Sequence, residues 1–156
     1  MDENALNDVL NNIPGYIGTF SLDELREFKL RIFPVYIIVN LDLRSNFGTH
    51  WIALAIYTND VFICDSLGTL VPSSRFPTEL VNFLHTVCFK KKIHVTKQLQ
   101  HMNSSTCGLY VAYFVYLMSK THSYNNFLSN FGSDYEINDL TIKLLYNLIK
   151  RDKKYK

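Results

Sequence analysis

The chain has 156 residues, a net charge of +2, and 47% hydrophobic against 19% charged residues. That length suits one domain spanning 1–156, and the apolar share is enough for a core. The near-neutral balance excludes a protein that binds nucleic acid by bulk positive charge, and the composition excludes a disordered chain.

In chain order, Ala5, Leu6, Val9, Leu10 and Ile13 recur at helical spacing until Pro14-Gly15 stops the pattern. Ser21-x-x-Glu24 predicts a capping box on a short second helix, ended by Phe33-Pro34. Val35 to Asn40 reads as a central strand. Trp51 to Tyr57 and Val61 to Asp65 read as a hairpin turned at Thr58-Asn59-Asp60, apolar on both faces, so the sheet is covered on both sides. Pro77 fits the first turn of a helix carrying Leu80, Val81, Leu84 and Val87. Ile93, Val95 and Leu99 alternate with polar residues as in a strand, and a polar loop runs from Gln100 to Thr106. Cys107 to Ser119 is apolar on every side, the pattern of a buried central helix. Ser133-x-x-Glu136 predicts the cap of a last amphipathic helix carrying Ile137, Leu140, Leu144, Leu145 and Leu148, with a basic tail over 150–156. The fold class is α+β: a central mixed or antiparallel sheet packed by helices, with a buried helix that starts at Cys107.

Three cysteines, Cys64, Cys88 and Cys107, are an odd number at irregular spacing, which argues against a disulfide framework. The acidic start Met1-Asp2-Glu3-Asn4 is no signal peptide, and the longest apolar run, Leu109 to Met118, is too short to cross a bilayer. These features predict a protein made in a reducing compartment, neither secreted nor membrane-bound, with a thiol free for chemistry. Lys90-Lys91-Lys92 and the cluster Lys150, Arg151, Lys153, Lys154 and Lys156 read as a solvated surface and a helix end, with DNA contact as the alternative. His85-x-x-Cys88 is half a metal site without a second pair of ligands, so no metal is expected.

A thiol nucleophile needs a base, and the base needs an orienting partner. Cys107 stands where a polar loop meets the buried helix, so a helix N-terminus would favour its thiolate, Ser or Thr could cap that helix, and Gly108 would permit close approach. If the hairpin turns at residues 57–60, Asp65 lies opposite Ile52 and diagonal to His50, about 7–8 Å away between backbones. A carboxylate ending an apolar strand requires a partner, and His50 is the one in reach. Gln100, seven residues before Cys107, could share an oxyanion hole with the Cys107 backbone N–H. Each residue alone also fits a structural role; the set of four is what points to catalysis.

Gly48-Thr49-His50-Trp51-Ile52-Ala53-Leu54-Ala55, Phe62-Ile63-Cys64-Asp65-Ser66-Leu67-Gly68 and the loop from Gln100 to Leu109 resemble, in that order, the adenain family of adenovirus cysteine proteases. Tyr16-Ile17-Gly18-Thr19-Phe20 resembles an early segment of the same family. The resemblance implies His50 as base, Asp65 as its partner where adenain itself has Glu, Cys107 as nucleophile, and Gln100 with the Cys107 amide as oxyanion hole. It implies a viral endopeptidase that cleaves capsid or core precursors beside glycine, in the virion and the host nucleus or cytoplasm, along a groove walled by Trp51. It needs no cofactor for chemistry. By analogy, DNA and a capsid-derived peptide would activate it, the peptide adding a strand along Ile93 to Leu99 and tethered at Cys88. Alternatives are a deconjugating protease for ubiquitin-like modifiers, an acetyltransferase with the same triad, and a catalytically inactive virion or DNA-binding protein. Thr106 before the cysteine, where deconjugating enzymes commonly carry Asp, favours the viral branch.

Overall fold

The computed structural model describes residues 1–27, 30, 32–46, 49–70, 75–87 and 90–154. Helix α1 (Glu3–Leu10) is capped by the Asp2 carboxylate, which accepts the Ala5 N–H at 2.9 Å, and it buries Leu6 and Leu10. Strand β1 (Tyr16–Ser21) leads into a 3-10 helix (Leu22–Glu27). The Ser21 N–H donates to Glu24 Oε2 at 2.7 Å, so the capping bond forms on a tight 3-10 segment rather than on an α-helix. Then follow β2 (Val35–Asn40), β3 (Trp51–Ile56), β4 (Asp60–Cys64), α2 (Thr78–Val87) and β5 (Lys92–Val95). The chain closes with α3 (Cys107–Thr121), α4 (Tyr124–Leu128) and α5 (Tyr135–Lys154).

The sheet order is β1-β2-β3-β4-β5. The outer pairs β1–β2 and β4–β5 are parallel, and the inner pairs are antiparallel. Alternation along the strands feeds two cores. Tyr36, Ile38, Ala53, Ala55 and Cys64 face a core shared with α1, α3 and α5. Val35, Ile37, Val39, Ile52, Leu54, Ile56, Val61 and Ile63 face a second core closed by α2 and the 3-10 helix. The small Ala53 and Ala55 lie on the α3 side, where they leave room for a helix with Tyr110, Val111, Phe114 and Val115 wholly buried.

Several expectations change. The alternation of Ile93 to Leu99 yields a strand only to Val95. Thr96 then turns inward, its hydroxyl accepting the Asp65 N–H and donating to the Asp65 carbonyl, both at 2.8 Å. Leu99 and Gln100 N–H groups both donate to the Ser66 carbonyl, so this segment leaves the ladder to cradle the turn after β4. On α5, Ile142, Tyr146 and Ile149 pack inward, whereas Ile137, Leu140, Leu144 and Leu148 face water. Asp134, not Ser133, caps that helix by accepting the Glu136 and Ile137 N–H groups, and residues 150–154 of the expected basic tail continue its last turn. No described helix is long and apolar enough to cross a membrane.

Candidate active site

The hairpin register is the one the sequence predicts: Ala53 pairs with Cys64, so Asp65 follows the strand opposite Ile52. His50 precedes β3, pinned by its carbonyl, which accepts the Leu41 N–H at 2.9 Å. The two side chains meet, with His50 Nε2 2.7 Å from Asp65 Oδ1 and both groups buried. The second carboxylate oxygen of Asp65 accepts from the Leu70 N–H at 2.7 Å and from the Thr69 hydroxyl at 3.1 Å. Burial opposes the Asp65 charge, but the His50 bond, the Leu70 N–H, the His50 charge and the Thr69 hydroxyl together hold its carboxyl below the usual range.

This carboxylate cradle depends on Gly68, whose φ of +66° closes the turn and whose position admits no side chain. A Cβ there would stand 2.7 Å from the backbone nitrogen of Gln98.

Cys107 is the first residue of α3, on the α-helical side of the sheet. Burial opposes its thiolate, but the His50 hydrogen bond, the Trp51 N–H, the His50 charge and the Gly108 N–H outweigh it and lower the thiol below its ordinary value of 9.0. The reciprocal effect falls on His50. Burial disfavours the imidazolium, yet Asp65 and Cys107 together raise the ring from 6.5 to about 9. Cys107 acts on the ring first through a hydrogen bond and then through charge, the same two effects by which His50 lowers the thiol. Both shifts favour the thiolate–imidazolium form of the pair. Cys64, on the adjacent strand, is the contrast: burial, Asp65 and Cys107 push its thiol up, and it stays neutral.

Thr106 does not cap α3 with its side chain. Its hydroxyl donates instead to Asp139 Oδ1 at 2.7 Å, which also accepts from the Tyr110 hydroxyl at 3.1 Å. Asp139 Oδ2 accepts the His101 N–H at 3.2 Å, and Asn138 Nδ2 donates to the Leu99 carbonyl at 2.9 Å. Two neighbours on α5 thus tie down both ends of the loop before the nucleophile. Sequence reasoning missed them because they lie more than thirty residues downstream; their only signal was a polar pair, Asn-Asp, inside an otherwise apolar helix period.

Gln100 is buried in that loop. Its Oε1 accepts from the Ser66 hydroxyl at 2.7 Å, and its Nε2 donates to the Ser104 carbonyl at 2.7 Å. Trp51 is half-buried, and its indole N–H donates to the Met1 carbonyl at 3.1 Å. It lines a cleft of about 590 Å³ together with Met1, Glu3, Asn40 and Arg44. Asn40 pairs with Trp51 across the sheet, and its buried Oδ1 has no partner among the described residues. Met1 also packs on Gly108, where a Cβ would meet the Met1 Cβ at 2.7 Å.

Cys88, Phe47 and Gly48 lie outside the described residues. In the first basic cluster, Lys91 Nζ donates to the Tyr57 carbonyl at 2.6 Å and lies 3.6 Å from the Phe33 ring centroid. That lysine therefore has a structural position.

Residues 31–152 match the Ulp1 protease family, C-terminal catalytic domain. No curated protein sequence matches the chain. Among solved structures, the SUMO protease Ulp1 is 19% identical with a TM-score of 0.53, over 97% of this chain and 75% of that one. The Chlamydia trachomatis effector Cdu1, solved bound to ubiquitin, is 14% identical with a TM-score of 0.61, over 99% of this chain and 93% of that one. The ASFV pS273R protease is 16% identical with a TM-score of 0.47, over 69% of this chain, which spans 43% of that one. The likenesses to Ulp1 and Cdu1 establish a shared fold, and the sequence match over residues 31–152 goes further. The chain belongs to the Ulp1 protease family, in the same clan as adenain, and carries that family's cysteine-protease catalytic domain.

Proposed function

We propose that this domain hydrolyses peptide or isopeptide bonds that follow glycine, with Cys107 as nucleophile, His50 as general base and acid, and Asp65 as the group that orients His50. The observation that carries this reading is the coupled chain Asp65–His50–Cys107, with the thiol lowered and the imidazole raised at a helix N-terminus. The thiolate attacks the scissile carbonyl carbon, and the carbonyl oxygen takes the charge. His50 then gives its proton to the departing amine, releasing it and leaving a thioester on Cys107. Water, deprotonated by the now neutral His50, attacks the thioester; the thiolate leaves, and the carboxylic acid product departs.

The oxyanion is held by the Cys107 backbone N–H and by the Gln100 amide, whose second Nε2 proton is its available donor. Ser66 and Ser104 fix the plane of that amide before substrate arrives. The Trp51 cleft receives an extended chain, and glycine fits where Met1 and Trp51 crowd the approach to α3.

Family membership and the ubiquitin-bound relative support conjugates of ubiquitin-like modifiers as substrates. A second reading rests on the seven-residue spacing from Gln100 to Cys107 and on Thr106 before the nucleophile. Both favour an adenain-like viral endopeptidase that acts on capsid or core precursors in the virion or infected cell. DNA and a capsid-derived peptide at the β5 edge would then be its activators. Incubation with ubiquitin, SUMO and Leu-x-Gly-Gly peptides, side by side, distinguishes the two. Cleavage of conjugates alone supports the first, and cleavage of internal Gly-Gly bonds in unstructured peptides supports the second. No cleavage of any of these, with Cys107 alkylatable, would defeat the shared mechanism.

A further inference from the structure

Helix α5 has the apolar periodicity of a core helix, but its largest apolar stripe faces outward. Ile137, Leu140, Leu144 and Leu148 are 59, 61, 69 and 56% exposed. Spacings of three and four residues place them on one side of the helix, opposite Ile142, Tyr146 and Ile149. A single exposed leucine needs no explanation, but a contiguous stripe of four marks a contact surface.

The ends of the helix say what covers it. Exposed Asp134 and Glu136 flank the start of the stripe, and exposed Lys150 and Arg151 flank its end. Consider a second α5 laid antiparallel across the first, with a two-fold axis between positions 142 and 143. Ile137 then stands opposite Leu148, and Leu140 opposite the Leu144–Leu145 step. Asp134 stands opposite Arg151, and Glu136 falls beside Lys150. Symmetry repeats every pair, so one surface satisfies itself. A parallel copy would instead set acid against acid and base against base. Lys150 lies over the Tyr146 ring on the flank of the helix, with Nζ 5.1 Å from its centroid, so its long side chain swings outward to meet a partner carboxylate. Lys143 is exposed near the axis, where its aliphatic stem can line the seam while its ammonium reaches water.

We propose that the outer face of α5 is a homodimerisation surface, in which two copies pair antiparallel through Ile137, Leu140, Leu144 and Leu148 with Glu136 and Asp134 against Lys150 and Arg151 of the other copy. Two crossed helices bury less than the about 1,600 Å² of a standard interface, so the dimer is reversible and concentration-dependent.

Sedimentation equilibrium of the full chain tests this, over a series reaching about 1 mM, the weak end of measurable affinity. The wild-type protein should pass from monomer to dimer. Leu144→Glu should remain monomeric across the series, with unchanged melting and unchanged Cys107 alkylation. Glu136→Lys and Lys150→Glu should each weaken association by about threefold or more, and the double variant should restore it. A wild-type chain that stays monomeric overturns the proposal, as does a double variant no tighter than the single ones. Monomeric wild-type protein that binds phosphatidylserine vesicles, and loses them on Leu144→Glu, would assign the stripe to a membrane surface and likewise overturn it.

Discussion

The hydroxyl of Thr106, the residue before the nucleophile, donates to Asp139 at 2.7 Å, and the same carboxylate oxygen accepts from Tyr110 one turn into α3. Asp139 is buried, so it fixes the start of α3 without touching any group that reacts. Asp139→Ala leaves the Thr106 hydroxyl, the Tyr110 hydroxyl and the His101 N–H without their acceptor, at a cost of about 1–3 kcal/mol in stability. We expect a lower melting temperature and a reduced kcat. The pH dependence of Cys107 alkylation should not move, because His50 and Asp65 are left in place. A shifted alkylation profile would show that Asp139 acts on the thiol itself.

Removing the orienting carboxylate should separate two roles of His50. Asp65→Asn should lower kcat/KM by about 10²–10⁴-fold, the range of general acid–base contributions. It should also bring the His50 ring down from about 9, since the Asp65 bond and charge help raise it. NMR titration of the His50 ring checks the second part.

Activity should follow a bell-shaped pH profile. The raised ring of His50 contributes fully to the fold below its ordinary value of 6.5, and that contribution is lost as pH rises through about 9. The lowered Cys107 and Asp65 contribute above their ordinary values of 9.0 and 3.8, and each contribution is lost as pH falls through the depressed folded value. The ion pair therefore persists between the depressed Cys107 value and about 9. Iodoacetamide should alkylate Cys107 below the pH an ordinary thiol requires, and His50→Ala should move the profile to higher pH.

Gln100→Ala should slow turnover by about 10²–10³-fold, the usual loss for one oxyanion donor. Ser66→Ala serves as its companion. It deletes only the bond to Gln100 Oε1, so it should slow turnover less and spare substrate affinity. Equal losses from both would mean that Gln100 acts by packing rather than by donating.

Strands β2, β3 and β4 and helix α3 were legible because they are locally determined. The Val35–Asn40 run, the Thr58–Asp60 turn and the apolar helix at Cys107 each carry their pattern within a short window. The register followed from the turn, and with it the meeting of His50 and Asp65. Strand β1 was missed as a strand because Gly18 and Thr19 dilute its apolar signal, and its pairing with β2 is parallel and non-local. Helix α4 is five residues held by the Ser123 cap and by Phe127 in the core, too short for periodicity to declare it. On α5 the period was right and the facing was not. Its inward side carries Asn138 and Asp139, which a hydrophobicity pattern places outside, whereas their bonds to Leu99, His101 and Thr106 place them inside.

That facing limits how this chain can vary. Asn138 and Asp139 look toward the catalytic loop, while Ile137 and Leu140 on either side look away. One residue inserted between the Asp134 cap and Asn138 would turn everything beyond it by about 100° around the helix. The loop would lose its Asp139 carboxylate, because Asn138 would stand in the place of Asp139 and an apolar or inserted residue in the place of Asn138. The count from 134 to 139 is fixed by these bonds, and Asn138 also holds Gly132 by accepting its N–H and donating to its carbonyl, whereas substitutions on the outer face leave that count untouched.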